Sequence, residues 1–239
     1  MKEVAWKHIG LWAITLFIVI IVSVFLHETG HGLGARLDGI HVSTGFNKVG
    51  DYGKSPDDPE FRSSGREGAF WSGLLGPVTT WFLAILFTVW LYRFKLPSCG
   101  ALTVGALAVA NGLGRAVPML IFLAFTLRGR LHVEDEVTWG IWLVANFFRP
   151  DAASTGLQKL VNAQPARLLS YPAVWIPPLL SLVISLACLV PAYLRLFKLW
   201  RMQLSHVLAI GTLGLLPVLA YAAAFPVLNT LDRLVRINW

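Results

Sequence analysis

Two histidines four residues apart flank a glutamate in the stretch His27-Glu28-Thr29-Gly30-His31. The stretch matches the pattern H-E-x-x-H, and residues four apart on a helix share one face. His27 and His31 can therefore present two imidazoles to one Zn²⁺. A zinc ion held there would lower the pKa of a nearby water, and Glu28 would take its proton. The pattern predicts a hydrolytic zinc site with two histidine ligands and Glu28 as its general base.

The segment that carries this motif is apolar enough to lie in a membrane. Of the 239 residues, 56% are hydrophobic and 14% are charged, whereas soluble domains carry about 25% charged residues. A chain so poor in charge has too little polar surface to cover a water-soluble globule. Ionisable residues inside an apolar helix are costly to keep there, so they indicate a function. The composition favours an integral, multi-pass membrane protein.

Five apolar blocks are each long enough to cross the hydrocarbon core of a bilayer, which takes about 20 residues. They cover residues 9–36, 70–92, 99–127, 168–194 and 206–228. Several end in Trp, Tyr, Lys or Arg, as is usual at a membrane interface. The first block is long and continues into the polar motif, so we expect a retained span rather than a cleaved signal peptide. The sequence predicts an all-α fold of about five transmembrane helices in one domain, residues 1–239.

The polar stretch that follows the first block contains several glycines and prolines. Its early part, Ile40–Val49, places β-branched and aromatic residues between glycines, which predicts a short hairpin at the membrane edge. Its later part, Asp51–Arg66, is predicted to be an exposed loop. The net charge of +7 lies mainly at block ends and in loops. That placement suits anionic lipid headgroups, so we expect a lipid bilayer as partner and no nucleic acid.

A second polar stretch carries the acidic cluster Glu134, Asp135 and Glu136, followed by the apolar run Val137–Phe148. The run is too short to cross a bilayer and is predicted to be interfacial or re-entrant. Successive spans alternate in direction. The acidic cluster, which follows the third span, is therefore expected on the same side as the end of the first.

The stretch His27–Ala84 resembles the site-2 protease family of intramembrane zinc metalloproteases. Besides the H-E-x-G-H motif, the run Gly34–Val42 is similar to the family's small-A-R-x-x-G-[IV]-x-V continuation, and Ser72–Pro77 is similar to its A-G-P motif. The resemblance implies a zinc-dependent endopeptidase that cleaves peptide bonds in or near transmembrane segments of other proteins. It also implies that the hairpin and the Gly76-Pro77 helix hold an unwound substrate strand.

The chain departs from the family pattern at two places. Thr80 stands where the family often has Asn, and no L-D-G motif follows on a later helix, where the family's third ligand is an Asp. Leu37-Asp38-Gly39 lies directly after the first helix instead.

The third ligand is therefore sought by position, near a helix start on the side of the two histidines. Asp135 is favoured because it most resembles the family's Asp and would begin the helix Val137–Phe148. His132, Glu134 and Glu136 remain alternatives.

Two other functions compete with the protease. One is a non-catalytic membrane scaffold or chaperone of the same fold, which would not need Glu28. The other is a different class of H-E-x-x-H membrane protease, such as the prenyl-protein proteases, whose third ligand is a Glu. Asn111 and Arg115, one turn apart in the third block, are interpreted either as an interhelical hydrogen-bonding pair or as substrate contacts.

Overall fold

A computed structural model describes residues 2–58, 70–148, 168–202 and 204–239. Its helices are α1 (Lys2–Leu37), α2 (Phe70–Leu91), α3 (Cys99–Thr126), α4 (Asp135–Leu143), α5 (Pro172–Trp200) and α6 (His206–Leu234). All but α4 are long and apolar enough to cross a membrane. The predicted all-α class with five such helices is confirmed.

Helices α1, α5 and α6 differ most from their predicted bounds. Helix α1 begins at Lys2, seven residues before the first apolar block. The fourth predicted span starts at residue 168, but α5 begins at Pro172, where the fixed φ of proline suits a first helical turn. Helices α5 and α6 continue about six residues beyond their apolar blocks, to Trp200 and Leu234. The apolar pattern marks the hydrocarbon-compatible residues, whereas the helix also includes the polar residues at their ends.

The short apolar run after the acidic cluster forms α4, and one π-helical turn, Val144–Phe148, continues it. Helix α4 packs against α2 and α5. A Cβ at Gly140 would lie 2.7 Å from the carbonyl oxygen of Ala173, so the missing side chain is what lets α4 approach α5 this closely. The remainder of the second polar stretch, residues 149–167, lies outside the described residues.

A small antiparallel sheet follows α1. Strand β1 (Val42–Thr44) pairs with β2 (Val49–Asp51), with Ser43 opposite Gly50, so the predicted hairpin is confirmed with slightly shifted bounds. A third strand, β3 (Ile237–Asn238), pairs with the other edge of β1 and was not expected. The loop predicted for Asp51–Arg66 is described only as far as Asp58.

Leu37-Asp38-Gly39 ends α1 and ties it to α2. Gly39 has a φ of +73°, a left-handed conformation that stops the helix at little cost. The Asp38 carboxylate accepts a hydrogen bond of 2.8 Å from the backbone N–H of Ser72 in the first turn of α2. This hydrogen bond therefore holds the end of α1 against the start of α2.

Helices α1 and α2 cross at glycines of α1. A Cβ at Gly30 would lie 2.6 Å from the carbonyl oxygen of Leu75, and one at Gly34 would overlap the backbone of Trp71. Small residues at a helix crossing let backbones approach closely in an apolar solvent. The crossing brings α2 directly against the turn of α1 that bears the two histidines.

We predict that Gly34→Ala destabilises the protein by about 2 kcal/mol or more, because the new methyl group meets rigid backbone rather than a flexible side chain. Gly10→Ala in the same helix is the matched control, since nothing lies within 4 Å of a Cβ there. Chemical unfolding of the detergent-solubilised protein, followed by circular dichroism, measures both. Equal midpoints for the two variants would contradict the close crossing.

Candidate metal centre

Three electron-pair donors from two helices converge at one point. Asp135 Oδ2 lies 3.0 Å from His27 Nε2 and 3.3 Å from His31 Nε2, and the two Nε2 atoms lie 3.1 Å apart. All three side chains are buried, and among the described residues they form the one group of three His, Cys, Asp or Glu donors placed to hold a metal ion. The juxtaposition expected from alternating spans is thus present.

These separations suit a tetrahedral ion. Zn²⁺ bonds imidazole nitrogen and carboxylate oxygen at about 2.0–2.2 Å, which places tetrahedral ligand atoms roughly 3.3–3.6 Å from one another. The observed separations of 3.0–3.3 Å lie at or slightly below that spacing, so binding would require the donors to move apart by a few tenths of an ångström at most pairs. Three unprotonated donors this close repel one another, and a cation between them converts the repulsion into binding.

Hydrogen bonds to the other ring nitrogens set both histidine tautomers. His31 Nδ1 meets the carbonyl oxygen of Ser72, which can only accept, so this nitrogen carries the proton. His27 Nδ1 lies 2.9 Å from Thr80 Oγ1, whose hydroxyl donates to the carbonyl oxygen of Gly76 and therefore accepts from the imidazole. Each Nε2 then carries a lone pair directed at the other donors, as metal-binding histidines require.

Helix α2 also makes room for the imidazoles. A Cβ at Gly76 would overlap the ring of His31, so a larger residue there would displace it. Thr80, one turn further along α2, supplies the hydroxyl that holds His27. Thr80, which departs from the family pattern, therefore orients the imidazole ring of His27.

The alternative third ligands face other partners. Glu134 Oε1 lies 2.9 Å from His132 Nε2, and Glu136 Oε1 accepts a 2.6 Å hydrogen bond from the Ser181 hydroxyl. Within this acidic cluster, Asp135 presents its carboxylate to the two imidazoles. It does so from the first turn of α4, the position anticipated from the sequence.

A buried network behind the carboxylate was not anticipated. Arg115 Nη1 donates to Asp135 Oδ2 at 3.0 Å and to Glu136 Oε2 at 3.4 Å. Ser181, which donates to Glu136, accepts a 3.0 Å hydrogen bond from Trp81 Nε1. Burial raises the pKa of the Glu136 carboxyl, and the Arg115 guanidinium opposes that rise. Four helices thus meet at this network.

Glu28 follows His27 in α1 and is 5% exposed. Together with His27 and Asp135 it lines a cavity of about 560 Å³, bounded also by residues of α2, α3 and α6. The cavity is large enough for a short peptide segment. A carboxylate that lines the same cavity as two of the donor residues can accept a proton from a water molecule there.

Two buried carboxylates share the guanidinium of Arg115. Its Nη1 lies 3.0 Å from Asp135 Oδ2 and 3.4 Å from Glu136 Oε2. When both carboxylates are ionised and the imidazoles neutral, these three charged groups carry one net negative charge. That charge would favour a cation bound by the imidazoles and Asp135.

Comparison with known proteins returned no match: no protein-family model, no curated protein and no solved structure matches this chain.

We predict that Thr80→Val weakens metal binding about 10–100-fold, because His27 loses the partner that fixes its tautomer and ring orientation. Thr88→Val is the matched control, since Thr88 is buried in the same helix and its hydroxyl donates to the carbonyl oxygen of Cys188 instead. Zinc competition against a chromophoric chelator gives both dissociation constants. The same loss in both variants would assign Thr80 a purely structural part.

Proposed function

We propose that this chain is an integral membrane protein that acts as a zinc-dependent intramembrane endopeptidase, similar to the site-2 proteases. The observation that carries the proposal is the convergence of two imidazole nitrogens and a carboxylate oxygen, together with a cavity lined by His27, Asp135 and Glu28. The surrounding helices are long and apolar enough to cross a membrane. The ordered motifs of the stretch His27–Ala84 support the same class.

His27 Nε2, His31 Nε2 and Asp135 would hold the zinc ion, and the donor set suits it. Two imidazoles and a carboxylate form a catalytic zinc site when one position stays open. Bound zinc would lower the pKa of an incoming water and polarise the carbonyl of the peptide bond. The buried network behind Asp135 and the hydrogen bonds to the two Nδ1 atoms would keep the donors in place.

Glu28 would move the proton. Its carboxylate accepts a proton from the attacking water as the carbon–oxygen bond forms, and it returns a proton to the amine nitrogen as the carbon–nitrogen bond breaks. The burial of Glu28 would keep this exchange away from bulk solvent.

The substrate proposed is a transmembrane segment of another protein. His27 and His31 belong to a helix whose 32 described residues from Trp6 to Leu37 form a candidate span. A peptide bond must be exposed from its own helix before it can reach a site among such helices. The cavity, bounded by α1, α3 and α6 and reached by Asn47 of the hairpin, offers the space for an extended segment.

Two rivals have specific chemistry. A set of two histidines and one carboxylate also binds iron(II) in oxygenases, but those sites do not need a glutamate base beside the ligands. A protease with a glutamate ligand would need Glu134 or Glu136 to face the imidazoles, and both have other partners. A non-catalytic scaffold has no use for Glu28.

We predict that Glu28→Gln keeps bound zinc and the fold but lowers proteolysis at least about 100-fold, because the amide cannot accept the proton of water. Glu134→Gln is the control, since Glu134 lines the same cavity. Purified protein is incubated with cell membranes, and new N termini are mapped by labelling and mass spectrometry. Wild type and the control should produce new termini in or near transmembrane segments.

Equal cleavage by Glu28→Gln and wild type would overturn the hydrolytic mechanism. A wild type that binds zinc and yields no new termini would favour the scaffold.

A further inference from the structure

We propose that Arg115 and Glu136 are positioning residues that hold the Asp135 carboxylate against the two imidazoles. The proposal rests on the metal centre proposed above and concerns how its third ligand is kept in place. The sequence suggests that Arg115 forms an interhelical pair with Asn111 or contacts the substrate. The proposal gives Arg115 a different part, which is to hold a ligand residue.

The guanidinium binds the same oxygen that faces the histidines. Arg115 Nη1 lies 3.0 Å from Asp135 Oδ2, and that oxygen lies 3.0 Å from His27 Nε2. Arg115 Nε donates to the carbonyl oxygen of Gly114 at 2.9 Å, which restrains the side chain close to its own backbone. With Nε held in this way, the guanidinium keeps its Nη1 against Asp135 Oδ2 and so restrains the position of that oxygen.

Glu136 holds the same Nη1 atom of Arg115 that contacts Asp135. Its carboxylate is 1% exposed, accepts from Arg115 at 3.4 Å and accepts from Ser181 at 2.6 Å. Trp81 then donates to Ser181 at 3.0 Å. The chain of contacts connects α2, α5, α4 and α3 in turn and ends at Asp135. The orientation of the Asp135 carboxylate is therefore set by groups that themselves have fixed partners.

The first turn of α4 needs such a restraint. Its N-cap residue Glu134 makes no side-chain capping hydrogen bond within the described part of the chain. Gly140 sets how closely the middle of α4 approaches α5, but it lies more than one turn from Asp135. The contact between Arg115 and Glu136 restrains the N-terminal end of α4, which carries Asp135.

Glu136 also divides the charge of the guanidinium. If Arg115 faced Asp135 alone, its whole positive charge would compete with a metal ion for one carboxylate. A second buried carboxylate draws part of that charge away. The pair therefore orients Asp135 while leaving much of the negative charge of its carboxylate available to a cation.

The test is a double-mutant cycle on zinc affinity in the purified full chain. Metal is removed with a chelator, and zinc is titrated against a chromophoric competitor. Arg115→Lys is expected to weaken zinc binding about 10–100-fold, because lysine has one nitrogen and cannot both bridge the two carboxylates and keep the bond of Nε to Gly114. In an Asp135→Asn background the same substitution should change the affinity less than about threefold, since the carboxylate through which it acts is gone.

A second pair of variants avoids any change of buried charge. Ser181→Ala removes the hydroxyl that anchors Glu136 and should weaken zinc binding about threefold or more. Ser185→Ala is the matched control, because Ser185 lies one turn further along α5 and is equally buried. Its zinc affinity should equal that of the wild type.

The outcomes separate the two proposals. If the wild type binds zinc and the Arg115→Lys and Ser181→Ala variants bind it with the same affinity, the positioning role is overturned and the metal centre is retained. An equal loss in both Asp135 backgrounds, or in both serine variants, also overturns it, because a general packing defect would act that way. A wild type without zinc affinity overturns the metal centre and the positioning role together.

Discussion

The mutual approach of three electron-pair donors is the constraint on which the rest of the structure depends. Two imidazole nitrogens and a carboxylate oxygen at 3.0–3.3 Å are unfavourable neighbours unless a proton or a metal ion lies between them. The Glu136 carboxylate adds negative charge, and the Arg115 guanidinium offsets one of the two carboxylate charges. A helix bundle keeps such a cluster only if surrounding contacts hold it, and the buried hydrogen bonds of α2, α3 and α5 are those contacts.

The architecture follows from that requirement. Glycines of α1 let α2 approach until Ser72 and Thr80 reach the two Nδ1 atoms, and Gly76 leaves space for the ring of His31. Helix α4 is too short to span a bilayer, but it delivers Asp135 from its first turn. The hairpin and strand β3 form a small sheet after the end of α1. Helices α1 and α4 therefore carry the donors, and α2, α3 and α5 hold them through buried hydrogen bonds.

The sequence predicts those features that depend on local periodicity. Apolar block length predicts the five long helices, and a spacing of four predicts that His27 and His31 share a face. Span counting together with the family resemblance pointed to Asp135. The network of Arg115, Glu136, Ser181 and Trp81 joins residues up to about a hundred positions apart, and strand β3 pairs across almost the whole chain, so neither leaves a local pattern. The sequence marks Thr80 only as a departure from the family pattern, because its contact with His27 exists only once α2 is packed on α1.

Metal analysis combined with zinc-edge X-ray absorption tests the central claim most directly. The wild-type protein, purified without added metal, should carry one zinc per chain, bonded to nitrogen and oxygen atoms at about 2.0–2.2 Å. His27→Ala and His31→Ala should each lose more than half of that zinc. Iron in place of zinc, sulfur atoms among the ligands, or a zinc content that both alanine variants retain would contradict the account.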